Sequence, residues 1–94
     1  MSDWHIYIIQ TAKGQLYTGI TNDPERRLKQ HEEGKGAKFL RGKGPLTMVF
    51  HQKLSNHSEA ARLEPVIKRW SRQKKLALIN NPECWAELTV NIID

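Results

Sequence analysis

Trp4-His5-Ile6-Tyr7-Ile8-Ile9-Gln10 and Leu16-Tyr17-Thr18-Gly19-Ile20-Thr21 are the runs whose pairing decides the fold. Both are rich in β-branched and aromatic residues, and Thr11-Ala12-Lys13-Gly14-Gln15 between them carries a turn glycine, which predicts a β-hairpin. Side chains alternate along a strand, so Tyr7 shares a face with His5 and Ile9, and Tyr17 shares one with Gly19 and Thr21. Trp4, Ile6, Ile8, Leu16, Thr18 and Ile20 form the opposite, more apolar face. Whether the two tyrosines share one face depends on the loop, because a slip of one residue sends every side chain across the sheet. A two-residue turn at Lys13-Gly14 separates them. An odd-numbered loop with Gly14 or Gln15 in a left-handed conformation brings them together. The expectation is the shared face.

The chain of 94 residues is one domain in length, with 38% hydrophobic and 27% charged residues, as in an ordinary soluble protein. No apolar run reaches a membrane span, and Met1-Ser2-Asp3-Trp4 does not read as a signal peptide. The single cysteine, Cys84, leaves no internal disulfide and no multi-cysteine metal site, so a cytoplasmic location is expected. Fifteen Lys and Arg against ten Asp and Glu give a net charge of +5, which raises the prospect of a polyanionic partner.

Beyond the hairpin, Asp23-Pro24-Glu25 is a helix start, with Asp23 as cap and Pro24 at the first helical position. This helix should run to about Glu33 and stop at Gly34. Its one large apolar residue between Glu25 and Glu33 is Leu28, a thin stripe for a helix kept only for packing. Arg27 and His31 share a face; by spacing alone such a pair is more often a solvated surface pair. The segment from Gly34 to Pro45 fails as a P-loop, because Gly42-Lys43 is followed by glycine and opens no helix. Its cations Lys35, Lys38, Arg41 and Lys43, interleaved with Phe39, suit a nucleic-acid backbone and a stacked base; Phe39 and Leu40 equally suit anchoring the loop to the core.

Leu46 to Leu54 reads as a third strand with Leu46, Met48 and Phe50 on one face. Asn56 with Glu59 resembles a capping box, and Ala60, Leu63, Ile67 and Trp70 make the apolar stripe of a second helix. Glu64 borders that stripe, and Pro65 should bend the helix beside it. Ser71 caps a short third helix to about Asn80, with Leu76 and Ile79 inward; Lys68, Arg72 and Lys75 belong to a basic cluster that also reads as a solvated face. The tail, residues 81–94, is ambiguous and is expected to be irregular or extended, outside a core of about residues 4–80. The fold class is α+β: a small sandwich with a three-stranded antiparallel sheet flanked by helices, in the order β-β-α-β-α-α.

His5-Ile6-Tyr7, Tyr17-Thr18-Gly19, Arg27-Leu28 with His31, and Glu64 on a helix after the third strand form an ordered set. That set resembles the GIY-YIG nuclease superfamily, and Leu16 to Thr21 with Gly34-Lys35-Gly36-Ala37-Lys38 is similar to its small stand-alone bacterial members of the YhbQ type. The resemblance runs from about Trp4 to Ile79; His5 stands where the family has its first glycine, and Pro65 follows the glutamate. It implies a metal-dependent endonuclease hydrolysing phosphodiester bonds, with DNA the expected polymer. Glu64 would hold one divalent cation, Mg²⁺ or Mn²⁺, with waters and a phosphate oxygen. Arg27 would grip the phosphate. Tyr7 would be general base and Tyr17 would orient water or phosphate, or the two would exchange roles, with His31 accepting a hydrogen bond or proton from Tyr7. Gly19 would leave room for the substrate backbone. Lys35, Lys38, Phe39, Arg41, Lys43, Lys68, Arg72 and Lys75 would hold nucleic acid, with no membrane and no small-molecule cofactor. The competing classes are a nucleic-acid-binding module with little or no catalysis, and a protein-interaction adaptor.

Overall fold

The computed structural model describes the backbone of residues 3–93 and the side chains of residues 3–90. Strands β1 (Trp4–Gln10), β2 (Leu16–Thr21) and β3 (Thr47–Leu54) form an antiparallel sheet in the order β2-β1-β3. The hairpin register pairs Tyr7 with Gly19 and Ile9 with Tyr17, so both tyrosines stand on one face. The odd loop predicted for that outcome is present. Thr11 N–H bonds to Gln15 O at 2.9 Å, Gly14 N–H bonds to Thr11 O at 2.9 Å, and Gly14 takes φ 86°, which glycine adopts without strain.

One face of the sheet packs Ile6, Ile8, Phe50 and Leu54 against Ala60, Leu63 and Ile67 of helix α2 (His57–Arg69) and Leu78 of helix α3 (Arg72–Asn80). The other face carries Tyr7, Ile9, Leu46 and Met48 under Leu40 of the loop and Leu28 of helix α1 (Pro24–Glu32). The expectation that Leu46, Met48 and Phe50 share a face fails. Between Ile8 and Ile9 the register shifts, with Ile8 opposite Phe50 and Ile9 opposite Met48. Val49 is thus an extra residue, and a bulge reverses the parity of everything before it.

The helix boundaries follow their caps. Asp23 accepts from Arg26 N–H at 3.1 Å, and Gly34 (φ 78°) closes α1 with Gly34 N–H on His31 O and Lys35 N–H on Gln30 O. Asn56 accepts from Glu59 N–H at 2.9 Å, while Glu59 reaches back to Ser55 N–H. α2 continues as helix through Pro65, which lies on its exposed side. In α3, Leu78 is the fully buried residue, whereas Leu76 and Ile79, expected inward, are only partly covered.

The tail departs most from expectation. A 3-10 turn at Pro82–Cys84 leads into helix α4 (Trp85–Ile93), and Trp85 and Leu88 join the core. Trp85 packs against Phe50 at 5.7 Å, and buried Thr89 donates to Trp85 O at 2.7 Å, which satisfies its hydroxyl inside the helix. The alternation that argued for a strand included Ile92, whose side chain lies outside the described residues. Among the described residues no helix is long and apolar enough to cross a membrane.

Candidate active site

Tyr7 stands on the central strand and is 1% exposed; its Oη lies 2.8 Å from His31 Nε2, which α1 brings over the sheet. The other imidazole nitrogen decides the direction of that bond. Ala37 N–H donates to His31 Nδ1 at 3.1 Å, and a backbone N–H can only donate. Nδ1 therefore carries the lone pair, neutral His31 carries its proton on Nε2, and Nε2–H donates to Tyr7 Oη. The expectation that His31 accepts from Tyr7 or takes its proton is thus reversed. His31 is a donor to the phenol oxygen, an arrangement that favours a phenolate.

Burial pushes the Tyr7 phenol up to about 12, opposed by hydrogen bonding and charge from the Arg27 guanidinium and reinforced by Tyr17 and Glu64. Burial, and then Arg27, hold His31 down at about 4. Arg27 is itself steadied by Nη1–H donating to Gln30 Oε1 at 3.1 Å. The acid behaviour of the fold follows. The unfolded chain takes up the His31 proton near its ordinary value of 6.5, the native protein only near 4, so between these the unfolded state binds more protons. This contribution to stability is complete above pH 6.5 and is lost as pH falls towards 4. Urea midpoints measured over that range should decline more steeply for the wild type than for His31→Gln; parallel declines would refute it.

Two glycines make the Tyr7–His31 pair possible, neither through an unusual φ. A Cβ on Gly19 would lie 2.6 Å from Tyr7 Cζ, and one on Gly36 would lie 2.7 Å from His31 Cε1. The space above Gly19, expected to admit substrate backbone, is filled by the Tyr7 ring. The sequence reading names Gly36 and Ala37 only within the run Gly34 to Lys38 that carries the resemblance, and gives them no role at the site. The available signal was a glycine with no turn to explain it.

Tyr17 occupies the edge strand, its ring 6.4 Å from Tyr7 and 5.7 Å from His31. Phe39 is 42% exposed and stacks on Tyr17 at 6.1 Å with 20° between planes, while its neighbour Leu40 is the buried anchor of the loop. The two readings of that dipeptide divide between its residues. Lys43 Nζ lies 3.5 Å from the Phe39 ring centroid, and Lys68 Nζ lies 5.8 Å from that of Tyr17. A groove of about 310 Å³ is lined by Leu16, Tyr17, Thr18, Phe39, Lys68 and Lys75. Lys75 donates to Lys68 O at 3.3 Å, and burial followed by Lys68 pulls its pKa down. The other expected cations scatter. Arg72 donates to Gly14 O at 2.7 Å and pins the hairpin turn, Lys35 pairs with Glu33 at 3.9 Å, Lys38 is exposed on the 3-10 turn Lys38–Leu40, and Arg41 lines a cleft beside the hairpin.

Glu64 comes from α2, on the opposite layer, and pairs with Lys68 at 3.6 Å with its side chain 28% exposed. Among the described residues no three or more His, Cys, Asp and Glu gather as a metal site. A hard divalent cation that keeps most of its waters needs only one carboxylate and phosphate oxygens, so a lone, water-accessible Glu64 fits one.

Comparison with known proteins bears on the family. The family model for the GIY-YIG catalytic domain matches residues 3–77. A UPF0213 protein of Yersinia pestis (strain Pestoides F) is 56% identical over 81 residues, 84% of this chain and 85% of its own length. A UPF0213 protein of Aeromonas salmonicida (strain A449) is 50% identical over 84 residues, 89% of this chain but 62% of its own length. Among solved structures, the UPF0213 protein BH0048 from Bacillus halodurans matches with TM-score 0.53 and 41% identity over 83% of each chain. The protein EF2693 from E. faecalis matches with TM-score 0.55 and 33% identity, over 83% of this chain and 88% of its own. GIY-YIG domains belong to a nuclease superfamily, acting in general on nucleic acid with a divalent metal. With the family model spanning both tyrosine strands, the arginine helix and the glutamate helix, the chain belongs to the GIY-YIG family.

Proposed function

We propose that this protein is a metal-dependent endonuclease that hydrolyses phosphodiester bonds in nucleic acid, with DNA as its polymer. The observation that carries the reading is the cluster on one face of the sheet: His31 donates to Tyr7 Oη at 2.8 Å, and the Tyr17 ring lies 6.4 Å from that of Tyr7 and 5.7 Å from that of His31. In this reading Tyr7 accepts a proton from the attacking water, and the His31 hydrogen bond and Arg27 charge stabilise the phenolate it needs to be. The Arg27 fork holds the reacting phosphate and Tyr17 orients it from the edge strand. A divalent cation, Mg²⁺ or Mn²⁺, held on Glu64 supplies charge stabilisation to the leaving oxygen. Lys68, released from its pair with Glu64, turns to the polyanion with Lys75.

A second reading, nucleic-acid binding with little or no catalysis, is favoured by one observation. Tyr7 is 1% exposed with its phenol pushed up to about 12, a poor base until Arg27, metal and substrate act on it together. A cleavage screen over single-stranded, duplex and branched DNA and over RNA separates the two. Nicking of at least one form that requires Mg²⁺ or Mn²⁺ and stops in EDTA is expected. Glu64→Ala should raise the metal concentration required by an order of magnitude or more. Salt-sensitive binding without cleavage of any form would leave the second reading standing.

A further inference from the structure

A cleft of about 410 Å³ lies between the hairpin turn and the loop of residues 41–44. Its walls include Lys13, Arg41 and Lys43 and no carboxylate. It is a firm feature, because Ala12 N–H bonds to Lys43 O at 3.1 Å across it and Arg72 holds Gly14 from outside. Among the described residues none of its three cations joins an ion pair, whereas Lys35, Lys53 and Lys68 do. Lys43 links this cleft to the next feature, since its ammonium rests over the ring of Phe39. Phe39 stacks on Tyr17 and walls the groove that holds Lys68 and Lys75. Cation, exposed aromatic and cation thus follow one another across the mouth of the site.

We infer that this series is a track for a nucleic-acid strand with an unpaired base beside the reacting phosphate. One phosphate lies in the Lys13–Arg41–Lys43 cleft, the neighbouring base stacks on Phe39, and the strand continues past Tyr17 to Lys68 and Lys75. In the free protein the Lys43 ammonium occupies the ring of Phe39. The arriving base takes its place, and the released lysine pairs with the phosphate. A base held in a duplex keeps both faces stacked and has none to offer Phe39, so the track favours single-stranded or frayed segments. The inference rests on the nucleic-acid reading of the site, and not on its catalysis.

Binding in EDTA tests it, with a fluorescein-labelled thymidine oligonucleotide, the same oligonucleotide carrying abasic residues, and its duplex as probes. The wild type should bind the single strand more tightly than the duplex and the abasic strand, and Phe39→Ala should weaken single-strand binding about 5- to 100-fold while losing the preference for bases. Phe39→Trp should keep the preference and show indole quenching on binding. Lys13→Ala combined with Arg41→Ala should lower the salt slope on the single strand by about 0.7, the contribution of one phosphate. Base-independent binding by the wild type, an unaffected Phe39→Ala, or no binding at all would overturn the inference. Because binding is measured without metal, preference for bases together with no cleavage in the separate screen with Mg²⁺ or Mn²⁺ would remove the nuclease reading alone, and cleavage in that screen without the preference would remove this one alone.

Discussion

Tyr7→Phe should lose about 10²- to 10⁴-fold in cleavage rate, the usual loss when a positioned base is removed. Its stability should also fall. The lost hydroxyl oxygen is the acceptor of His31 Nε2–H in a buried site, and the ring cannot turn to the other tautomer without losing Ala37 N–H. An orphaned buried donor costs about 1–3 kcal/mol. The wild-type rate should follow the phenolate fraction and rise about tenfold per pH unit below the phenol's pKa in the substrate complex. Burial sets the free phenol at about 12, so the rise should extend to the alkaline side of neutrality. Cleavage by Tyr7→Phe at the wild-type rate would remove Tyr7 as the base and pass the role to Tyr17, and a wild-type rate independent of pH from 6 to 9 would remove both phenols.

Local chemistry was legible in the sequence where it acts alone. Asp23, Asn56 and Ser71 cap the helices they were expected to cap, because a side chain bonding an N–H three residues on needs no tertiary partner. The hairpin was legible as a condition: the tyrosines share a face only with an odd loop, and Gly14 in a left-handed turn provides it. The bulge at Val49 was not, since no glycine or proline marks the extra residue and its effect is a change of parity. The tail was misread because Trp85 and Leu88 fit a helix while Leu88, Val90 and Ile92 alternate as in a strand. Packing against Phe50 decides between the two, and that contact lies some 35 residues away in sequence. The direction of the Tyr7–His31 bond lay beyond sequence altogether, because it turns on one backbone N–H in a loop.

Gly36→Ala should cut activity about 100-fold although residue 36 carries no reactive group, since displacement of a catalytic side chain by about 1 Å has that effect. The methyl would lie 2.7 Å from His31 Cε1, well inside contact distance, and the imidazole is held between Ala37 N–H and Tyr7 Oη. Something must shift, and either hydrogen bond that gives way spoils the donor to the phenol. Overpacking of this kind costs about 1–3 kcal/mol, so a folded variant should be recovered for assay. Gly19→Ala presses on the same pair from the other side, against the Tyr7 ring, and should act alike. Gly34→Ala is the discriminating control. Gly34 has φ 78° and nothing within 4 Å of its missing Cβ, so alanine there costs about 1–2 kcal/mol in backbone strain and touches no site residue. Thermal melts of the Gly34 and Gly36 variants should therefore fall by similar amounts while their cleavage rates diverge. Equal losses of activity in both would show that the loop matters only through stability. Full activity in Gly36→Ala would mean that the phenol does not depend on the His31 hydrogen bond.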